Sequence, residues 1–234
     1  MSSSGSRVEA YRAARERVLD RIEAACSQAG RDPGDVTLVA VSKTVPSDAL
    51  RDAVAAGLDL FGENRVQEGL AKSPDVPGAR WQLVGPLQSN KARRALEVFE
   101  SIQSVDTVDL ARRLDRLSPE VRPGDRYPIL LQVNVDQDPA KAGFQPADLD
   151  EALDELLDLP NLVVNGLMTV GRLTSDPIES RQTFRALRLR SELSRARWPA
   201  LGPALSMGMS DDFELAVEEG ATIVRVGRAL FGDR

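Results

Sequence analysis

The chain has 234 residues, 42% hydrophobic and 28% charged, with 36 acidic against 30 basic side chains and no histidine. That size admits one full α/β barrel or two small domains, and the net charge of −6 opposes non-specific binding to nucleic acid or a membrane surface. Without histidine there is no Ser-His-Asp triad, no histidine metal site and no imidazole acid–base pair, so any catalysis falls to Lys, Tyr, Asp, Glu, Arg or a borrowed cofactor.

Residues 1–6, MSSSGS, are expected to be disordered. Over 7–29, Val8, Tyr11, Val18, Ile22, Cys26 and Ala29 recur near a period of 3.6, predicting an amphipathic helix that precedes the first strand and packs outside it. Cys26, the sole cysteine, lies in the apolar phase of that helix and reads as packing. One cysteine permits no intramolecular disulfide and fits a reducing compartment. No run approaches the roughly 20 apolar residues of a bilayer span, and the N-terminus lacks a signal-peptide core, so the protein is expected to be cytoplasmic. Gly30 ends the helix and Pro33-Gly34 makes a turn.

Valine-rich strands are then expected at 36–42, 58–62, 81–85, 101–105, 127–135, 162–168, 204–207 and 222–226. Helical patterns lie between them at 47–56, 64–72, 89–99, 107–117, 146–158, 178–196 and 211–219. Such alternation implies parallel strands joined by right-handed crossovers. Eight strands in this length predict an α/β fold: a single (β/α)8 TIM barrel with an additional N-terminal helix, one domain over 1–234. The competing open doubly wound sheet lacks its Gly-x-Gly-x-x-Gly fingerprint after the first strand.

In a barrel the functional residues sit at the C-terminal ends of the strands. Lys43 closes the first strand. It is either a solvated strand-end lysine or a partly desolvated amine able to attack a carbonyl. Glu63-Asn64-Arg65, the stretch 85–91, Asn134 and Met168-Thr169 follow on the same rim. In SMGMS (206–210), Ser206 is placed to donate to a phosphate, and Ser210 or Asp211 to cap the next helix. Asp211 and Asp212 are expected to face away from an anion. Arg225, inside the last strand, needs an anion or acceptor, and an ion pair with Glu63 is the structural alternative. At Gly227 the strand breaks and a short helix restarts at Arg228, leaving backbone N–H groups aimed at one spot, as in a phosphate seat. A lysine amine and a phosphate seat on one rim suit a phosphorylated aldehyde, and pyridoxal 5′-phosphate (PLP) is the candidate cofactor. A phosphosugar-type barrel enzyme would use the seat alone.

The stretches VAVSKTVP (39–46), FGENRVQE (61–68), WQLVGPLQSNKAR (81–93), VNVDQDPAKAGF (133–144), GLMTV (166–170) and LSMGMSDDFELAVEEGATIVRVGRALFGDR (205–234) run in order through nearly the whole chain. Together they resemble the PLP homeostasis protein family, which is similar to the barrel domain of alanine racemase. The resemblance implies a fold-type III PLP-binding barrel involved in vitamin B6 homeostasis. It implies that Lys43 holds PLP as an internal aldimine, that Ser206 and the Gly227-Arg228 backbone bind its phosphate, that Arg225 lies beside the pyridine nitrogen, and that Asn64 is a mouth residue near the cofactor. Two positions depart from the family pattern: Gln82 stands where a histidine is usual, and Arg228 where a threonine is more common. Arg228 either replaces the lost hydroxyl by a charged contact to phosphate or points to solvent.

The resemblance leaves two functions, a non-catalytic PLP carrier and a PLP-dependent amino-acid racemase. Racemisation needs a base on each face of the α-carbon; in alanine racemase the second is a tyrosine placed in the site by an extra β-domain of a partner subunit. Here the chain ends just after the eighth strand and its short helix, and the only tyrosines are Tyr11, in the leading helix, and Tyr127, at the N-terminal end of a strand. The expectation is therefore a carrier with no catalytic residue and no metal. Its expected partners are PLP and PLP-dependent apo-enzymes, and a monomer is expected because no second domain or hydrophobic arm stands out.

Overall fold

Eight short apolar runs form the strands β1 (Thr37–Val41), β2 (Leu60–Glu63), β3 (Arg80–Leu83), β4 (Ser101–Val105), β5 (Tyr127–Gln132), β6 (Leu162–Met168), β7 (Ala204–Ser206) and β8 (Ile223–Val226) in the computed structural model, which describes residues 3–171, 174 and 176–232. Each pairs in parallel with the next in sequence, and β8 closes on β1. The sheet is thus the closed barrel anticipated from the alternation, and the β1–β8 ladder excludes the open sheet.

Helices α1 (Ser3–Ala29), α2 (Ser47–Ala55), α3 (Val66–Lys72), α4 (Ala92–Val98), α5 (Val108–Val121), α6 (Pro146–Asp158), α7 (Pro177–Arg197), α8 (Phe213–Glu218) and α9 (Arg228–Phe231) lie outside the strands. Side chains of a strand alternate between two faces, and here the faces differ in size. Val39, Leu60 and Val84 form a small buried cluster with Ile223 inside the barrel, whereas Ala40, Phe61 and Leu83 belong to the large core shared with the helices. Gly62 faces inward, and a Cβ there would approach Val39 Cγ1 to 2.8 Å, so the narrow interior has no room for one.

The leading helix packs against α2, α8 and α9, with Tyr11 edge-on to Phe231 at 5.5 Å. Contrary to expectation, Ser3–Ser6 are helical, while Met1 and Ser2 lie outside the described residues. The cause is a polar anchor on α2: Ser4 Oγ donates to Asp52 at 2.6 Å, and Arg7 pairs with Asp48 and Asp52. Cys26 is fully buried in the core, and burial pushes its thiol up, as suits a packing residue. The fifth strand stops at Gln132 rather than 135, because Asn134 turns aside: its Nδ2 donates to Asp138 O at 2.8 Å, folding the loop that follows. Among the described residues, no helix is long and apolar enough to cross a membrane.

Candidate functional site

The β1–β8 register pairs Ala40 with Val226. One strand therefore turns at Gly227 while its neighbour runs on to Lys43 at the same rim. Val39 faces the interior, so alternation carries Val41 and Lys43 inward too, and both line a cavity of about 560 Å³ at the barrel mouth.

Lys43 is exposed, on a turn closed by Val45 N–H donating to Ser42 O at 3.0 Å. The next residue, Thr44, has φ +64, a left-handed conformation that a β-branched residue rarely takes. Side chains from α3 hold it there. Thr44 N–H donates to Glu68 at 3.1 Å, and Lys72 Nζ donates to Ser42 O at 2.9 Å. Lys72 also pairs with Glu63 at 2.7 Å and Glu68 at 3.3 Å, and Ser42 Oγ donates to Glu63 at 2.8 Å. Glu63 Oε2 has no hydrogen-bond partner among the described residues. Burial raises the Glu63 carboxyl above the usual range against the pull of Lys72. For Glu68, burial acts the same way, but the Thr44 N–H and Lys72 outweigh it and its carboxyl is lowered.

The anticipated alternative, an Arg225–Glu63 ion pair, does not form. Glu63 shares the outward parity of Phe61 and meets α3, while Arg225 points inward. The Arg225 guanidinium is buried at the cavity floor, where Nη1 donates to Ser206 Oγ at 2.6 Å and Nη2 to Thr169 O at 2.8 Å. Desolvation lowers its pKa to about 10, partly opposed by Asp212, so it remains charged at neutral pH.

Ser206 lies elsewhere than anticipated. It is fully buried beneath Arg225 and donates its hydroxyl proton to Gln103 Oε1 at 2.6 Å. A hydroxyl has one proton, so Ser206 has none left for a phosphate. The seat holds a different serine. Ser210 Oγ accepts from Gly227 N–H at 3.2 Å and Ala229 N–H at 3.4 Å, and it lines the cavity. Gly208, at φ +89 and packed on Phe213 and Ala216 with no space for a Cβ, directs the 209–210 segment over β8. Neither Ser210 nor Asp211 caps α8, which starts after Asp212 without a side-chain cap. Asp212 instead accepts from Met209 N–H at 2.7 Å, and burial raises its carboxyl. Asp211, expected to face away, lines the cavity in an ion pair with the exposed Arg228. With four residues, α9 is a single turn and sums little dipole; its Gly227 and Ala229 amides converge instead on the Ser210 hydroxyl.

Lys43, Asn64, Arg225, Gly227 and Arg228 thus share one cavity with Ser210, Asp211, Val84 and Val170, and Ser206 supports Arg225 from below. Sequence reading missed Gln103 and the cavity-facing position of Ser210. The inward parity of Gln103 within β4 was the available signal for the first. Ser210 gave none, because its partners lie 17 and 19 residues away. Neither tyrosine lines the cavity: Tyr127 is buried, its OH donating to Phe99 O at 2.7 Å, and Tyr11 packs on α9.

Comparison with known proteins places this site in context. The family model of the alanine racemase N-terminal domain matches residues 17–234. The pyridoxal phosphate homeostasis protein of Pseudomonas aeruginosa is 44% identical over 224 residues, covering 93% of this chain and 93% of its own. The structure of PipY from Synechococcus elongatus with PLP bound superposes with a TM-score of 0.80 at 44% identity, covering 91% of this chain and 100% of that one. Alanine racemase from Corynebacterium glutamicum gives a TM-score of 0.71 at 15% identity over 97% of this chain and 62% of its own, a likeness of fold alone.

Proposed function

The chain belongs to the pyridoxal phosphate homeostasis protein family, and from that premise we propose that it holds PLP reversibly at Lys43 and serves the intracellular balance of this vitamin B6 cofactor. The residues present fit the group. An exposed amine, a serine hydroxyl backed by two backbone amides, and a buried charged guanidinium share one cavity of about 560 Å³, and that shared cavity carries the reading. When bound, PLP supplies an aldehyde carbon, a ring-nitrogen acceptor and an anionic phosphate.

Lys43 offers the amine on a turn clamped from behind by Glu68 and Lys72. The Ser210 hydroxyl, which accepts from the Gly227 and Ala229 amides and so keeps its own proton to donate, meets the anion, with Arg228 at the rim. Arg225, which can only donate, would hold the ring nitrogen, where its charge would oppose a proton and so weaken the ring as an electron sink. Asn64 lines the mouth. Reducing the PLP-loaded protein with borohydride, followed by peptide mapping, is expected to place a pyridoxyl group on Lys43 and to find none in Lys43→Ala. Label on another residue, or none, overturns the assignment.

The racemase reading is less well supported, because neither tyrosine reaches the cavity to act as a second base. The barrel serves instead as a cytoplasmic, monomeric, one-domain carrier whose recipients are PLP-dependent apo-enzymes. Chiral chromatography over an amino-acid panel tests this: turnover that Lys43→Ala abolishes would make it an enzyme.

A further inference from the structure

We propose that Glu100, Gln82, Gln103 and Ser206 form a one-way hydrogen-bond relay that positions Arg225 from the opposite end of the barrel. The inference rests on Arg225 serving the ligand site as proposed above. Arg225 Nη1 donates to Ser206 Oγ at 2.6 Å, Ser206 Oγ to Gln103 Oε1 at 2.6 Å, Gln103 Nε2 to Gln82 Oε1 at 2.5 Å, and Gln82 Nε2 to Glu100 Oε1 at 3.1 Å. The first three residues are almost wholly buried, whereas Glu100 is half-buried beside Gln82 on a second cavity of about 370 Å³ at the N-terminal end of the barrel.

The ends fix the sense of the chain. A guanidinium only donates and an ionised carboxylate only accepts, while the hydroxyl and the two amides between them do both. Every bond must therefore run from Arg225 towards Glu100. Turning either amide over would set donor against donor or acceptor against acceptor, so the two charged ends fix the direction. Glu100 thereby decides which way Gln82 and Gln103 face, and through them that the Ser206 proton is held on Gln103 with a lone pair left for Arg225. If Gln82 is lost, Gln103 is free to flip its NH2 towards Ser206, whose proton then has no acceptor and whose rotor no longer holds one lone pair on Arg225. Glu100, Gln82 and Gln103 are positioning residues, all remote from the cavity that holds Lys43.

Two measurements on the full chain test this: the PLP dissociation constant by equilibrium dialysis, and the 15N-labelled guanidinium signals of the ligand-free protein, with Arg225 assigned by their loss in Arg225→Met. Gln82→Met and Glu100→Lys are expected to raise the dissociation constant about 3- to 10-fold, the worth of one buried hydrogen bond, and to broaden the Arg225 signals by faster exchange. Glu100→Gln, which still offers an oxygen acceptor, is expected to restore both to within about twofold of the parent. Unchanged binding and unchanged Arg225 signals in Gln82→Met and Glu100→Lys overturn the relay. If the parent protein takes up no PLP, the functional reading fails, and the Arg225 signals alone judge the relay: their broadening supports it and their persistence overturns it. Should Gln82→Met not fold, Glu100→Lys, at a half-exposed position, carries the test.

Discussion

Two buried cations lie close to the mouth of this barrel and are held in opposite ways. Lys72, between the barrel wall and α3, meets two carboxylates and a carbonyl. Arg225, inside the wall, donates to a hydroxyl and a carbonyl and has no salt-bridge partner among the described residues. A buried charge with carboxylates around it is internally compensated, and its job ends with the fold. A buried charge that donates only to neutral acceptors, with a carboxylate (Asp212) acting on it through space alone, is less fully compensated, and its field faces the open cavity. The difference separates a clamp for the Lys43 turn from a floor that awaits an acceptor.

The largest expected effect comes from removing the compensated cation. Lys72→Met strands the Glu63 carboxylate in a fully buried site and should cost about 3–5 kcal/mol in urea unfolding. A loss below about 1 kcal/mol would show that the pair does not hold the turn. Arg225→Met leaves two neutral acceptors unpaired and takes from Asp212 only a through-space attraction, so the same measurement should lose about 1–3 kcal/mol. An equal or larger loss than in Lys72→Met would erase the contrast drawn above.

The comparison sharpens with pH. Because burial raises the folded Glu63 carboxyl above its unfolded value of roughly 4.3, the folded state binds that proton more tightly. The stability that Glu63 contributes is therefore full below that pH and declines as pH rises through the folded value. Urea titrations of parent and Glu63→Gln should show their difference drifting against the parent over that rise. Glu68 has the opposite sign: its lowered carboxyl contributes stability above roughly pH 4.3 that is lost as pH falls through the folded value. A difference that grows in the parent's favour with rising pH would contradict the burial of Glu63. The smallest effect belongs to the exposed rim, where Arg228→Thr breaks the pair with Asp211 and should change unfolding by no more than about 1 kcal/mol.

The barrel was legible because its causes are local and repeated. β-branched runs alternate with amphipathic stretches, and eight such units with right-handed crossovers leave few ways to close. Lys43 and Arg225 were legible for a related reason: each continues the inward alternation of an apolar strand, so a charge there has no structural need. What the chain order concealed was every pairing between distant elements. Ser206 and Ser210 stand four residues apart in one loop, and only tertiary structure decides that the first spends its proton on Gln103 while the second meets the Gly227 amide. Glu63 and Arg225 looked like partners until strand parity put them on opposite sides of the wall. One-dimensional patterns specify which face a side chain takes, because that follows from backbone geometry. They do not specify which acceptor waits there, because that acceptor comes from a segment scores of residues away, brought in by closure of the sheet.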